Sequence, residues 1–466
     1  MLQTFLNIFR VPELRNKVLF TLFMLAIYRI GYHIPIPGVD QAQFAAVIAN
    51  QGQNSAAARL GSYLSLFSGG TLRQSTVFGL GVMPYISASI IFQLLATVVP
   101  ALEKLKKEGQ TGQRKIQEWT RYATVPVAAL QASFWLSFIG QQGLVLPGFG
   151  ASFWILGLLA LTAGTLFLMW LGEQIDEYGL GNGISLIILA GIVAQMPVAI
   201  YELVSRFGLD PSDTTRDIGI GDLITLVLCF LVVTAGAIWI TQAQRRIPIQ
   251  QAKHTRGRKV YGGTKQFLPL RLNHGGVMPI IFAQSLMLFP GVIFSWLNSA
   301  VNGTQQASGV FGSLVAFLNV EFASYGGFLY TLTEVGLIFF FAYFWTTVQF
   351  QPKEMANQLR DYGSFIPGLR PGKRTAEYLE RVMYRITFVG AAFLAIIAVV
   401  PMTVSALLGI PFQVTAFLGG TGLLIVVNVA LDMVQRIEAN LLMRNYSGFL
   451  ADDPRTKSKR IKGRQY

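Results

Sequence analysis

The sequence predicts an all-α polytopic membrane protein whose ten transmembrane helices form two inverted halves of five. Three observations carry this prediction. Of the 466 residues, 52% are hydrophobic and only 13% are charged, whereas about 25% charged residues is usual in soluble domains. Ten apolar runs approach the length of about 20 residues that a helix needs to cross a bilayer. The tetrapeptide Gly-Val-Met-Pro occurs once in each half of the chain.

The ten apolar runs fix the expected order of the spans. They lie near 17–34, 76–99, 121–140, 152–172, 183–204, 220–241, 276–297, 328–350, 385–403 and 413–434. We therefore expect a cytoplasmic N-terminus (1–16), an N-terminal half (17–204), an external loop (205–219), a C-terminal half (220–434) and a basic cytoplasmic tail (435–466). The first run is not followed by a cleavage site of small residues, so it is expected to stay as an anchor.

The distribution of lysine and arginine sets the expected orientation, because these residues accumulate in cytoplasmic loops. With the N-terminus inside, the segments up to Lys17, 100–121, 242–275, 351–381 and from Arg436 onward hold 3, 6, 8, 6 and 8 of them, 31 of the 37. Both termini are therefore predicted to be cytoplasmic. The net charge of +14 then lies on one face, where it attracts anionic lipids or an anionic macromolecule.

The repeated tetrapeptide opens the second span of each half, at 81–84 and at 276–279. These two spans run in opposite directions, as expected for inverted repeats whose working site lies between the halves on helices interrupted by Gly and Pro. Polar side chains follow both repeats, namely Ser87, Ser89, Gln93, Gln284 and Ser285. They either bond across a helix pair or face a wet cavity, although each serine by itself is explained by ordinary interhelical packing.

The stretch RLGSYLSLFSGG at 59–70 has no place among the ten spans. It has the pattern of a short amphipathic helix ended by Gly69-Gly70, and it is too short to cross a bilayer. Two interpretations stay open from the pattern. It lies flat on the outer leaflet, or it folds back into the centre of the bundle.

Two cytoplasmic loops are longer than the topology requires. Loop 242–275 carries eight basic residues, and its Gly262-Gly263 pair between extended runs predicts a protruding hairpin. Loop 351–381 contains GSFIPGLRPGKRT, whose Pro-Gly steps demand turns around Arg370. Binding to anionic lipid is one function for these charges. Their length and turns favour docking of a soluble partner, including ribosomal RNA through phosphate contacts.

The chain carries no motif of an enzyme and is expected to need no metal or other cofactor. HExxH, GxSxG and phosphate-binding-loop motifs are missing from the sequence. The single cysteine, Cys229, lies in an apolar run and is expected to be a buried hydrophobe. Glu173, Glu334 and Asp432 are placed near span ends, so no carboxylate is expected at mid-membrane, where an ion-coupled transporter usually has one. The chain is thus expected to carry no energy source of its own.

Eight motifs in register resemble those of the bacterial SecY family, the pore-forming subunits of the Sec protein-translocation channel. They are IPIPGVD (34–40), LFSGG (66–70), GVMPYISASI (81–90), LEKLKKEG (102–109), LMWLGEQI (168–175), GLGNGIS (179–185), FIPGLRPG (365–372) and LLIVV (423–427). The resemblance runs from about residue 10 to about residue 450. It implies a protein-conducting channel in the bacterial inner membrane, gated by signal sequences and driven by a bound partner.

The resemblance also implies a constriction made of bulky aliphatic side chains. We call this set the pore ring, and it comprises Val82, Ile86, Ile184, Ile188, Ile281 and Ile425. The spacing agrees, because the pairs at 82/86 and 184/188 each share a helix face. Without the resemblance, aliphatic residues in membrane helices are mostly lipid-facing or core. Val82 is smaller than the isoleucine that is usual in the family at this position.

Further roles follow from the resemblance alone. Segment 59–70 is the expected plug, with Leu60, Tyr63, Leu64, Phe67, Gly69 and Gly70. Spans 2 and 7, with spans 3 and 8, are the expected lateral gate, marked by Pro84, Ser87, Gln93, Pro279, Gln284 and Ser285. The expected docking residues are Arg258, Lys259 and Arg370. The implied partners are the SecA motor ATPase, the ribosome, SecE-like and SecG-like subunits, signal sequences and nascent chains.

Two other functional classes compete with the channel. An ion-coupled secondary transporter shares inverted repeats and broken helices, but it needs a buried carboxylate or a polar ion site at mid-bilayer. A structural membrane scaffold would tolerate charge reversal at Arg370 and polar residues in the pore ring. Loop 298–327 and the tail after Tyr446 match no functional motif.

Overall fold

A computed structural model describes residues 12–41, 43, 75–141, 143–208, 219–251, 254–256, 259–261, 265–302, 310–323, 327–408 and 420–451. Its helices in chain order are α1 Pro12–Gly31, α2 Met83–Val98, α3 Pro100–Lys107, α4 Gln110–Gln141, α5 Gly150–Tyr178, α6 Gly183–Arg206, α7 Ile220–Gln242, α8 Met278–Asn302, α9 Val310–Ala323, α10 Phe328–Gln349, α11 Pro352–Asp361, α12 Lys373–Leu408 and α13 Thr421–Ala451. The strands are β1 Gln244–Gln251, β2 His254–Arg256, β3 Lys259–Tyr261, β4 Lys265–Arg271 and β5 Ser364–Phe365.

Each of the ten apolar runs overlaps one of the long helices, so the all-helical polytopic class is confirmed. Within the described residues, five helices are apolar and long enough to cross a membrane, or six if α2 and α3 form one bent span. The angle between α2 and α3 is 102°. The bend falls at Val99, which is extended (ψ 114°) because a residue before proline avoids helical geometry. The count of ten spans stays a prediction.

The two Gly-Val-Met-Pro repeats adopt the same local structure. Gly81 and Gly276 both have φ +58°, a left-handed conformation that glycine adopts without steric cost. In both repeats a helix then begins at the methionine, Met83 in α2 and Met278 in α8, with proline as its second residue. Proline is favoured there because its missing N–H has no helical acceptor. The repeat therefore starts two corresponding helices in the same way.

Close packing in the N-terminal half fixes the start of α2. Gly164 of α5 faces the turn before α2, and a Cβ added there would lie 2.2 Å from the carbonyl oxygen of Val77. Gly157 allows a similar approach to Leu136 of α4, with a Cβ only 2.6 Å from Leu136 Cδ2. Helix α4 thus packs against both α2 and α5. Small residues let these backbones approach closely, as is common in membrane bundles.

The two long basic loops, both expected on the cytoplasmic side, form one body, which we call the cytoplasmic platform: β1, β4, β5, α11 and the first turns of α12. Strand β1 pairs antiparallel with β4 and, at its other edge, with β5. Ile247 and Leu270 of the sheet are buried with Leu379 and Met383 of α12 in one hydrophobic cluster. The alternation of buried and exposed residues along β1 is typical of a strand with one covered face.

The hairpin predicted in loop 242–275 is present, but its tip is not at Gly262-Gly263. Strands β2 and β3 pair with Arg256 opposite Lys259, so the chain reverses between these two residues. The glycine pair, which is outside the described residues, comes between β3 and β4.

Loop 298–327, which the expected topology places outside and to which the sequence analysis gave no role, contains helix α9. The rings of Phe294 on α8 and Phe322 on α9 stack with centroids 5.1 Å apart. The outward face of α9 is apolar and exposed, with Val310, Phe311, Leu314, Phe317 and Val320 each more than half exposed. Helix α9 is therefore an apolar helix that packs against α8.

Candidate functional site

The pore-ring residues come together in one buried hydrophobic cluster. They reach it from α2 and α6 in the N-terminal half and from α8 and α13 in the C-terminal half, with Val82 immediately before α2. The exposed fractions of five members are low: Val82 1%, Ile86 7%, Ile188 4%, Ile281 3% and Ile425 1%. The sixth, Ile184, is partly buried and packs against the same cluster. Four helices from both halves thus contribute the six residues to one large hydrophobic core, which also contains aromatic side chains such as Phe282 and Phe341.

The start of α6 is held by a dense set of polar contacts. The Asn182 side chain accepts a hydrogen bond from the Ser185 N–H at 2.9 Å, and Asp176 Oδ1 accepts one from the Gly183 N–H at 2.8 Å. Capping of this kind satisfies N–H groups that have no helical partner. Gly183 also packs on Gly172, where a Cβ added to Gly183 would lie 1.9 Å from the Gly172 oxygen. These contacts set the position of the two ring isoleucines that follow.

Helices α2 and α8, the expected gate helices, contact each other directly. Pro84 and Pro279 are buried at the starts of these helices, and Ser87 is partly buried. Gln93 Nε2 donates to Ser89 Oγ at 3.1 Å, and Ser285 Oγ donates to the Ile281 oxygen at 2.7 Å. Both of these hydrogen bonds stay within one helix rather than crossing the pair.

Gln284 behaves differently, because its Nε2 donates to Oε1 of Glu334 on α10 at 3.5 Å. Glu334 has an exposed fraction of 0%. The sequence analysis placed it near a span end and did not predict its burial. Glu334 lies six residues inside α10, about 9 Å along its axis. The sequence feature that could have indicated this burial is a glutamate within an otherwise apolar run.

A cavity of about 200 Å³ opens beside the ring, where the two halves meet. Its lining includes Asn182 and Ser185 of α6, His274 and Gly276 before α8, and Asn428 of α13. Asn273 Nδ2 donates to the Gly276 oxygen at 2.7 Å and steadies this turn. Burial lowers the pKa of His274 below its ordinary value, and the neighbouring Arg271 guanidinium lowers it further. The cavity thus combines polar and apolar lining from both halves of the chain.

The expected docking residues are only partly described. Arg370 is exposed on the platform, and its carbonyl oxygen accepts a hydrogen bond from Thr375 Oγ1 at 2.9 Å. Lys259 begins β3. Arg258 lies outside the described residues, and so do all six expected plug residues between Leu60 and Gly70. Within the described part of the chain, no group of three or more His, Cys, Asp or Glu side chains is arranged to hold a metal ion.

Comparisons with known proteins agree on one family. The SecY family profile matches residues 76–434. The protein translocase subunit SecY of Thermotoga maritima is 39% identical over 100% of both chains, and that of Thermus thermophilus is 41% identical over 97% of this chain and 98% of its own. A solved protein-conducting channel (TM-score 0.54) and Sec61 in the canine ribosome–channel complex from the endoplasmic reticulum (TM-score 0.52) share the fold. Both are 18% identical and cover 91% of this chain and 92% of theirs. The chain belongs to the SecY family.

Proposed function

We propose that this multi-pass membrane protein is the pore-forming subunit of a protein-conducting channel. It passes unfolded secretory polypeptides across the membrane and releases transmembrane segments sideways into the lipid. The observation that carries the proposal is the convergence of the six pore-ring residues, from four helices of both halves, in one buried cluster. Membership of the SecY family supports the interpretation of this cluster as the constriction of a channel.

The chemistry of the ring suits a seal that must also let a chain slide. Branched aliphatic side chains exclude water from a narrow constriction and so block ions. They have no hydrogen-bonding groups to hold the backbone of a passing polypeptide. The polar cavity beside His274 and Asn428 receives the chain before it meets the ring.

Lateral release requires α2 and α8 to separate. Few polar contacts oppose this movement, because Gln93 and Ser285 form hydrogen bonds within their own helices. A signal sequence entering between α2 and α8 replaces one apolar helix contact by another, which costs little free energy in lipid. In this proposal segment 59–70 is the plug that covers the ring from outside, and spans 3 and 8 complete the gate.

The cytoplasmic platform is the proposed docking surface. Its exposed basic residues include Arg245, Arg246, Lys265, Arg360 and Arg370. We assign docking roles also to Lys259, which begins β3, and to Arg258, which precedes it in the sequence. Ribosomal RNA and an acidic motor surface both favour such charges. The Sec61 relative of the same fold is in a ribosome complex, which supports a ribosome partner here. We assign the SecA motor ATPase to the same surface.

The remaining partners complete the proposal. SecE-like and SecG-like subunits are proposed to clamp the outside of the bundle, and anionic lipids to contact the basic face. Both termini are placed in the cytoplasm and the protein in the bacterial inner membrane. The chain itself is proposed to be no enzyme, with energy coming from translation or from ATP hydrolysis by the motor.

Reconstitution tests the proposal against ion-coupled transport, which the comparisons do not support. Proteoliposomes holding the complete channel complex receive SecA, a secretory precursor and ATP. We expect precursor to become protected from protease only when all three are present, and we expect no uptake of small solutes when an ion gradient is applied alone. Gradient-driven solute uptake without precursor protection would overturn the proposal in favour of a transporter.

A further inference from the structure

Glu334 is a buried ionisable group that the proposed conduction path does not use. In the part of the chain that the structure describes, it is the one Asp, Glu, Lys or Arg side chain that is buried. It lies in α10, and Gln284 is its hydrogen-bond partner on the gate helix α8. Ionisable residues inside membranes are costly, so their presence generally marks a function.

The surroundings of the Glu334 carboxyl group are apolar. One turn away on each side along α10 are Tyr330 and Ile338, whose exposed fractions are 4% and 0%. Both belong to the same hydrophobic cluster as the pore ring. The Gln284 N–H group bonds Oε1 at a long 3.5 Å, and Oε2 has no hydrogen-bond donor among the described protein groups.

No basic side chain from the described helices faces this carboxyl group. Helices α8, α9 and α12 pack against α10. Helix α8 contains no titratable residue, and α9 contains only Glu321, whose Oε2 accepts the Leu329 N–H at 3.1 Å. Helix α12 has titratable residues only from Lys373 to Arg385.

The titratable end of α12 lies at a different depth from Glu334. The rings of Tyr384 and Tyr343 are 4.7 Å apart, which aligns this end of α12 with α10 nine residues beyond Glu334, about 13 Å along the axis. The other titratable groups on α10 itself are Tyr330 and Tyr343. A carboxylate at this place would therefore be a buried charge without a counter-ion, which is costly by several kcal/mol. A protonated carboxyl group avoids that cost.

We propose that Glu334 is a proton-binding site coupled to the gate, occupied when the ring is closed and released when the ring opens. This inference rests on the proposed channel function. Gln284 follows the ring residue Ile281 by three residues, so the two lie on one side of α8. Gln284 is thus the direct contact between the gate helix α8 and the Glu334 carboxyl group, and a shift of α8 relative to α10 during opening changes that contact.

Opening transfers one proton from the Glu334 carboxyl group to water. When opening admits water, the O–H bond of the Glu334 carboxyl group breaks, the electron pair stays on the carboxylate, and a water molecule takes the proton. The closed state then binds one more proton than the open state. Linkage requires that rising pH favours opening, by up to about tenfold per pH unit for one proton.

Among the described residues, the site is present in only one half of the repeat. On α2, the corresponding gate helix, the repeat register places Ser89 where α8 has Gln284, and Ser89 Oγ accepts a hydrogen bond from Gln93 of its own helix. The start of each helix is shared, whereas the buried acid is not. The proton site is thus an addition to the symmetric constriction and not a consequence of it.

The test combines infrared spectroscopy with single-channel recording on the reconstituted channel complex. In the closed channel at neutral pH, we expect the C=O stretching band of a protonated carboxylic acid, and Glu334→Gln should remove it. In recordings with a signal peptide, the open-to-closed ratio of the unmodified channel should rise with pH by up to about tenfold per unit. Glu334→Gln should abolish this dependence and hold the ratio near the acidic value.

Glu118→Gln is the matched control, because Glu118 is an exposed carboxylate on α4. This variant should keep both the band and the pH slope. An unchanged band or an unchanged slope in Glu334→Gln would overturn the proton site. If the unmodified protein shows the Glu334 band but never conducts, the channel function fails while proton occupancy of the closed site stands.

Discussion

The pore ring and the cytoplasmic platform use opposite chemistry. Ring residues such as Ile188 and Ile425 are almost fully buried and offer no hydrogen bonds, whereas the platform holds residues such as Arg370 exposed on a small sheet and helix framework. A seal must exclude water and must not bind its cargo, and a docking surface must attract a charged partner. A polar substitution in the ring should therefore weaken the closed seal. A charge reversal on the platform should instead prevent the partner from docking.

The largest expected effect is on the platform. Arg370→Glu should reduce motor-driven export by at least about tenfold, because a loss of about 1.4 kcal/mol in docking is tenfold in affinity. The protein should stay folded, since the Arg370 side chain is exposed. Export is measured as protease-protected precursor in proteoliposomes. Arg114→Glu makes the same charge change at one exposed residue of α4, outside the platform. This control variant should export the precursor normally. Normal export by Arg370→Glu would remove this residue from the docking surface.

The next effect concerns the backbone that positions the ring. Gly183→Ala would put a Cβ 1.9 Å from the Gly172 oxygen, and overpacking of this kind costs about 1–3 kcal/mol. We expect a lower unfolding temperature and a leak of ions through the closed channel. Gly221→Ala on α7 is the control, since a Cβ there meets nothing within 4 Å. Equal stability of the two variants would mean that the contact between α5 and α6 does not fix the ring.

A smaller effect is expected within the ring itself. Ile425→Asn buries an amide in an apolar cluster, which disfavours the closed state by about 1–3 kcal/mol. The channel should then export precursors whose signal sequences are defective. Ile425→Leu keeps the aliphatic character and should retain normal stringency. The assay counts export of a mutant-signal reporter, and unchanged stringency in Ile425→Asn would exclude Ile425 from the seal.

The smallest effect lies where the two regions meet, at His274. Its pKa is lowered in the folded protein by burial, so the unfolded chain binds more protons once the pH falls below the ordinary histidine value of about 6.5. Stability should therefore decline as the pH falls through that value. Thermal unfolding at several pH values should show a shallower acid decline in His274→Asn. His33→Asn, at an exposed histidine, is the control. An identical acid decline in His274→Asn would contradict the assignment.

The sequence was sufficient to predict the long helices, since apolar run length is a local property, whereas the set of ring residues rests on motif register with the family and stays a prediction. It also predicted a hairpin in the first basic loop. It missed the joining of the two loops, because the two-residue strand Ser364–Phe365 has no periodicity to recognise. The burial of Glu334 was missed because it depends on the helices that pack around α10 and on the contact with Gln284 of α8. Those are tertiary properties, and a single apolar run does not contain them.

The most direct test of the central claim is crosslinking to a secretory chain stalled in transit. Cys229→Ser provides the background, with single cysteines at Ile188, Ile281 and Ile425. Cysteines at Ile155 and Leu159 of α5, both 62% exposed on the outside of the bundle, are the controls. We predict crosslinks at the three ring positions and at neither control. A folded, motor-binding preparation without ring crosslinks would contradict the account, because the polypeptide would then take another path.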